Sequence, residues 1–216
     1  MNLVRSGSQR DRRILDLVEA RHALTAEQVS ILLFPMKAGH RKAQQRLKRL
    51  YDTESLLRAR FAQDEGFAYY MGRRPSRLDH LIALNWVYVW QARRLPSWGS
   101  IVGWEYEPSY EVLRADAFFG VHNGVTGKDT FCFVELDRAG SGNPFDKVSL
   151  YNRLYKSNGY AAAWWVEKAE RFPTVLCVTD SAARLSAIRK AIERENANGL
   201  RFDVRLLADV RGEAGK

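Results

Sequence analysis

Residues 131–136 read FCFVEL, a run apolar enough for the middle of a buried sheet, yet Glu135 lies within it and Asp137 follows two residues later. Side chains alternate across a strand, so Glu135 and Asp137 share one face. Upstream, VLRADAFFG (Val112–Gly120) reads as a second strand. Closing the two as an antiparallel hairpin through a four-residue loop, Gly124–Gly127, sets Asn123 opposite Lys128 and, counting back, Asp116 opposite Glu135. Directly opposed residues point to one face with Cβ atoms roughly 5 Å apart, so Asp116, Glu135 and Asp137 are expected to converge. Burial and mutual repulsion both raise the pKa of such a cluster, and a cation relieves both. Oxygen donors of this kind suit Mg²⁺ or Mn²⁺, which take one or two carboxylates and fill their other positions with water and substrate phosphate.

The elements around this hairpin predict an α/β domain over residues 76–216. A helix is expected over 76–94, a strand near Trp104–Tyr110, and a helix after the acidic strand, capped by Asn143 with Pro144 at its first position. Lys147 then lies one turn into that helix, in reach of the carboxylates, with Tyr151 at i+4 on the same side. A strand around Val175–Val178, a helix from Ser181 to about Asn196 and a strand from Phe202 to Leu207 complete the pattern. Trp164 and Trp165 are expected in a packed strand. An inert alternative for the acidic cluster is ion pairing of Glu135 and Asp137 with Arg114, Arg138 or Lys147.

Residues 1–75 differ in charge. They hold 15 of the 34 Lys and Arg against 8 of the 25 Asp and Glu, whereas the remainder is close to balanced; such asymmetry fits a polyanion-binding module joined to a near-neutral one. Ile14, Leu17 and Val18 have helical spacing over residues 9–21, and Thr25 with Gln28 forms a capping-box signature ahead of Val29, Leu32 and Leu33. After the break Phe34–Gly39, a third helix is predicted from about His40 to Asp52. Ala43, Leu47 and Leu50 form its inward stripe, leaving Arg41, Lys42, Gln44, Gln45, Lys48 and Arg49 outside. LLRARFA (Leu56–Ala62) and FAYYMG (Phe67–Gly72), separated by QDEG, read as a hairpin. Three helices and a hairpin predict a winged helix-turn-helix whose third helix enters the major groove of double-stranded DNA, with Arg58 and Arg60 on the wing strand as further DNA contacts. Asp64 and Glu65 at the wing tip are repelled by phosphate.

No run approaches the roughly 18 apolar residues of a membrane span, and the first residues go straight into charges, so a cytoplasmic protein that does not engage membranes is expected. Cys132 and Cys177 lie in apolar runs and are expected as reduced thiols. The four histidines are scattered without zinc-like spacing.

The order Asp116, Glu135 with Asp137, then a lysine on a helix, resembles the PD-(D/E)xK restriction-endonuclease-like fold with its mixed central sheet. Together with the leading winged helix and the strings LRADAFF, FCFVELDR, FDKVSLYNRLY and FPTVLCVTDS, it is similar to the replication-relaxation family, which includes MobC-type plasmid mobilisation relaxases. The resemblance implies a DNA-binding protein of plasmids, phages or other mobile elements. Carried across, Asp116 and Glu135 are metal ligands, Asp137 a further ligand or water holder, and Lys147 a displaced catalytic lysine. Asp137 stands where this fold usually has lysine, and Ala115 where it usually has proline. The reaction implied is metal-assisted hydrolysis of a phosphodiester, a DNA nickase or relaxase. The second function class is a non-catalytic, sequence-specific DNA-binding regulator or accessory protein, its nuclease-like domain serving homodimerisation or contact with mobilisation or replication proteins.

Overall fold

The computed structural model describes residues 9–35, 37–62, 65–138 and 145–216. The chain is mixed α/β, with seven α-helices among the described residues and a central mixed sheet of five strands. It divides into two compact units, one formed by the described residues up to Arg93 with Ala214–Lys216, the other by Arg94–Glu213. Among the described residues no helix is long and apolar enough to cross a membrane.

The first unit runs α1 (Gln9–Arg21), β1 (Ala23–Thr25), α2 (Ala26–Leu33), α3 (Gly39–Asp52), β2 (Leu57–Arg60), β3 (Phe67–Tyr70) and α4 (Leu78–Arg94). Apolar spacing decides how the helices pack: Ile14 and Val18 of α1, Val29 of α2 and Ala43, Leu47 and Leu50 of α3 share one core with Leu24 and Tyr69. Burying each such leucine contributes about 2 kcal/mol. The capping box forms as expected, Gln28 N donating to Thr25 Oγ1 over 3.2 Å and Thr25 N to Gln28 Oε1 over 3.0 Å. At the start of α3 the backbone passes so close to the end of α2 that a Cβ on Gly39 would lie 2.0 Å from the Phe34 carbonyl oxygen. The hairpin strands pair antiparallel, Arg58 opposite Tyr69, and the short β1 adds to them with Thr25 opposite Ala68, giving the order β1-β3-β2. The division expected after residue 75 falls one helix too early. Gln28 Nε2 donates to Ile82 O (2.9 Å) and Asn85 Nδ2 to Arg21 O and Ala23 O (3.0 and 2.6 Å), which hold α4 in this unit.

The second unit runs β4 (Gly99–Tyr106), β5 (Ser109–Tyr110), β6 (Leu113–Arg114), β7 (Ala117–Asn123), β8 (Lys128–Asp137), α5 (Lys147–Ser157), a 3₁₀ turn (Val166–Lys168), β9 (Thr174–Thr179), α6 (Ala182–Glu195), β10 (Phe202–Leu206) and α7 (Leu207–Ala214). The sheet order is β10-β9-β8-β7-β4. β4, β7 and β8 are antiparallel, whereas β9 and β10 join parallel. The β7–β8 register is the one read from sequence, Asn123 opposite Lys128 through Ala117 opposite Val134. On the face shared by Phe118, Phe133 and Val175, the aromatic rings of Tyr151 and Trp165 complete a core with Leu154 and Ile188 of the covering helices.

Three expectations fail here. VLRADAFFG is two strands, because the chain bends at Ala115–Asp116 between β6 and β7. α5 begins at Lys147, with Asp146 rather than Asn143 at its N-cap; Asn143 and Pro144 lie outside the described residues, as does Asp64. Trp164 and Trp165 sit in a turn, not a strand. The Trp164 ring lies flush on Gly103, which has φ +64° and where a Cβ would meet the ring at 2.2 Å, so the β4 bulge requires glycine on both counts.

Candidate functional site

Glu135 is 2% exposed, at the inner end of β8. Its Oε1 accepts the Tyr151 hydroxyl at 2.7 Å, and its Oε2 lies 3.2 Å from Lys147 Nζ. Both partners come from α5, one turn apart, so the helix clamps the carboxylate with a neutral donor and a cation. Lys147 Nζ also donates to Arg114 O at 2.7 Å, tying the first residue of α5 to β6.

Asp116 stands immediately before β7, where the pairing count carries it opposite Glu135. Its backbone N donates to Val134 O (3.1 Å) and its Oδ2 accepts Leu136 N (2.7 Å), so the side chain takes over a main-chain bond of β8 at the point where β7 bends away. The pair is electrostatically strained. Burial pushes the Glu135 carboxyl up to about 7, the Lys147 ammonium works against that, and the Asp116 charge adds to it. The Tyr151 phenol is pushed well above its ordinary value by burial and by the adjoining Glu135, and it remains a donor.

Asp137 does not join them. Arg184 of α6 places Nη2 at 2.5 Å and Nε at 3.2 Å from Asp137 Oδ2, a two-pronged grip on a carboxylate that is 7% exposed. Among the described residues no group of three or more His, Cys, Asp or Glu side chains is placed to hold a metal ion. The expected three-carboxylate convergence is therefore a pair, Asp116 and Glu135, with Asp137 diverted to a guanidinium. Of the inert pairings weighed from sequence, Glu135–Lys147 forms; Arg114 pairs with Glu107 and Arg138 with Asp180. Arg184 was missed. Its signal was its place in the first turn of a helix capped by Ser181, whose Oγ accepts Arg184 N. β9 runs parallel to β8 with Thr179 opposite Asp137, which brings that turn level with the acid. Cys177, opposite Glu135, is a buried free thiol, and Cys132 is a partly buried one.

In the first unit α3 presents the expected face. Arg41, Lys42, Gln44, Gln45, Lys48 and Arg49 are all exposed. Arg46 is the exception among the basic residues of that stretch: its Nη1 lies 3.2 Å from both oxygens of Asp11, which is 2% exposed, so it secures α1 to α3. Lys48 makes an i,i+4 ion pair with Asp52 at 2.6 Å, worth only a few tenths of a kcal/mol on an exposed helix surface. On β2, Arg58 is sandwiched between the rings of Tyr51 and Phe67, 4.2 Å from each centroid, while Arg60 lies 5.3 Å from that of Phe67. The sandwich fixes the Arg58 guanidinium beside the end of α3.

In comparisons with known proteins, the chain matches no family model, no curated protein and no solved structure.

Proposed function

We propose that the chain is a DNA-binding protein that nicks or relaxes DNA by metal-dependent phosphodiester cleavage. In this reading the first unit is a winged helix-turn-helix that docks on double-stranded DNA through α3, and the second is a PD-(D/E)xK-like nuclease unit. The observation that carries it is the Asp116 charge set against buried Glu135 with the Lys147 ammonium 3.2 Å away. Three helices with a three-stranded antiparallel sheet in the first unit, and three antiparallel strands, a helix and a parallel strand in the second, support that reading. The resemblance to the replication-relaxation family supplies the context, DNA of plasmids, phages or other mobile elements.

Asp116 and Glu135 are the residues that would hold Mg²⁺ or Mn²⁺, a donor set that fits ions taking one or two carboxylates. When bound, the ion supplies Lewis acidity toward a phosphate oxygen and lowers the pKa of water. The chain's own groups do the rest. Tyr151 orients Glu135, the Leu136 amide orients Asp116, and Lys147 offers its ammonium to charge developing on the phosphate. Lys147 thereby replaces the lysine that this fold usually carries at the position of Asp137.

The test is supercoiled plasmid incubated with the protein and Mg²⁺ or Mn²⁺. Nicked product is expected from the wild type, falling at least about hundredfold in Glu135→Gln and in Lys147→Met. Removing Arg41, Lys42 and Lys48 together should flatten the dependence of log affinity on log salt by up to about 3. A second reading, the non-catalytic regulator or accessory protein, is favoured by one observation: Glu135 and Asp137 already have cationic partners in Lys147 and Arg184. DNA retardation with no nicking by the wild type selects it. Neither retardation nor nicking overturns both.

A further inference from the structure

An open groove of about 670 Å³ lies in the second unit between α5 and the end of α6, inside the range of small-molecule sites, about 300–1,000 Å³. Lys156, on its rim, follows Lys147 by about two and a half turns, so the groove lies on the other side of α5 from the ammonium that meets Glu135. Its floor is fixed by Asn152, a buried amide with every hydrogen-bonding position filled: Nδ2 donates to Val148 O and Glu195 O (3.0 and 2.8 Å), and Oδ1 accepts Asn198 N and Nδ2 (3.2 and 2.7 Å). Arg153 and Lys156 are i,i+3 neighbours, about 5–6 Å apart at Cβ. Both are exposed, and among the described residues neither side chain has a partner. The acid in the lining, Glu195, is engaged by Arg194, whose Nε donates to its Oε1 over 3.1 Å, so Arg153 and Lys156 stand uncompensated. Two helix-end carbonyls that would repel an anion are bonded, Glu195 O by Asn152 and Leu154 O by Ser157 Oγ (3.3 Å). Ser149 Oγ donates to Asp146 O over 2.8 Å and meets an occupant as an acceptor.

We propose that this groove binds a phosphomonoester of a polyol, in chemical class a sugar phosphate. At neutral pH a phosphate monoester carries a charge of about −1.5 to −2, which the guanidinium and the ammonium together balance. A carboxylate, with a single charge, would leave one of them uncompensated. The Arg153 fork matches two phosphate oxygens and Lys156 adds a point charge beside it. The polyol supplies the hydroxyl donors that Ser149 Oγ accepts, and its C–H surface lies along Ala197 and the aliphatic stems of Arg153 and Lys156. The site is separate from the carboxylate pair and does not rest on the DNA reading above.

The experiment uses the whole protein without DNA or metal, titrated in a calorimeter with glucose 6-phosphate, glucose and inorganic phosphate. Saturable binding of glucose 6-phosphate is expected, at least about tenfold tighter than that of glucose or of phosphate. Arg153→Gln and Lys156→Gln should each weaken it by at least about tenfold, since each removes a charge-assisted contact from an exposed position. Ser149→Ala should lose a few-fold. Affinity should also fall below about pH 6, where the monoester takes up its second proton. No saturable binding, or undiminished binding by both glutamine variants, overturns the site. Inorganic phosphate bound as tightly as glucose 6-phosphate overturns the polyol assignment. DNA retardation weakened in the two glutamine variants, with no binding of glucose 6-phosphate by the wild type, overturns the proposal in favour of a DNA backbone contact. A protein that binds glucose 6-phosphate but neither retards nor nicks DNA overturns the DNA reading and leaves the groove assignment standing.

Discussion

In the first unit, the buried carboxylate of Asp11 meets the guanidinium of Arg46, and in the second Asp137 meets Arg184 with two nitrogens on one oxygen. Glu135, two residues from Asp137 on the same strand face, receives a different pair of partners: a phenol, and a single ammonium that is shared with a main-chain carbonyl. A guanidinium is a delocalised cation whose fork matches a carboxylate and which stays charged. An ammonium is a point charge, and here burial outweighs it, with the Asp116 charge adding to the rise, so the Glu135 carboxyl is pushed up to about 7. Acids matched by arginine hold elements together, whereas the acid matched by lysine retains an appetite for positive charge.

That contrast can be broken most directly by stranding each acid in turn. Arg184→Ala leaves Asp137 nearly buried and uncompensated, and should lower the unfolding free energy by about 3 kcal/mol in urea titration. Lys147→Ala should cost about 1 kcal/mol at pH 7, because Glu135 can take up a proton instead. Equal losses in the two variants would dissolve the distinction.

The pH dependence of stability sharpens it. Glu135 titrates near 7 in the folded chain and at its ordinary value of 4.5 in the unfolded one, so the folded state keeps a proton that the unfolded state releases. Its contribution to stability is complete below about 4.5 and is lost as pH rises through about 7. At about 1.4 kcal/mol per pKa unit, the urea midpoint measured in metal-free buffer should fall between pH 5 and 8 by the equivalent of at most about 3 kcal/mol. Glu135→Gln should flatten that limb, and Mg²⁺ should restore stability at its upper end only when Glu135 is present. A wild-type profile with no such fall would remove the electrostatic strain from the account.

The smallest effect belongs to the phenol. Tyr151→Phe removes one buried hydrogen bond, about 1 kcal/mol. Because that bond favours the ionised carboxylate, its loss should also move the stability limb of Glu135 to higher pH. An unmoved limb would mean that Tyr151 packs without orienting the acid.

What was legible in the sequence is what local rules govern. Thr25 and Gln28 announce α2 because a capping box is complete within four residues, and the stripe Ala43, Leu47, Leu50 faces α3 inward as its spacing demands. The β7–β8 register up to Ala117 opposite Val134, one step short of Asp116 and Glu135, was readable because a four-residue loop sets a hairpin register. Arg184 was not, since the Asp137 contact depends on β9 entering parallel beside β8, a pairing that no neighbouring residues encode. β1 is three residues long and exists as a strand only because β3 is there to pair with it. Trp164 and Trp165 have strand-like composition but are held by tertiary contacts, Trp165 by stacking on Tyr160 and by a tilted contact with Phe118, and Trp164 by Gly103.

β8 is the strand at which the sheet changes from antiparallel to parallel partners, and that seam implies an order of assembly. Its β7 side closes over Gly124–Gly127, whereas its β9 side waits on a crossover through residues 138–173 and α5. Loop closure makes the first join entropically cheap and the second dear. Asp116 and Glu135 can thus be neighbours in a nascent hairpin before Lys147, Tyr151 or Arg184 has arrived, so the two acids first meet while water still separates their charges, and the desolvation that strains them is the last step of building the site.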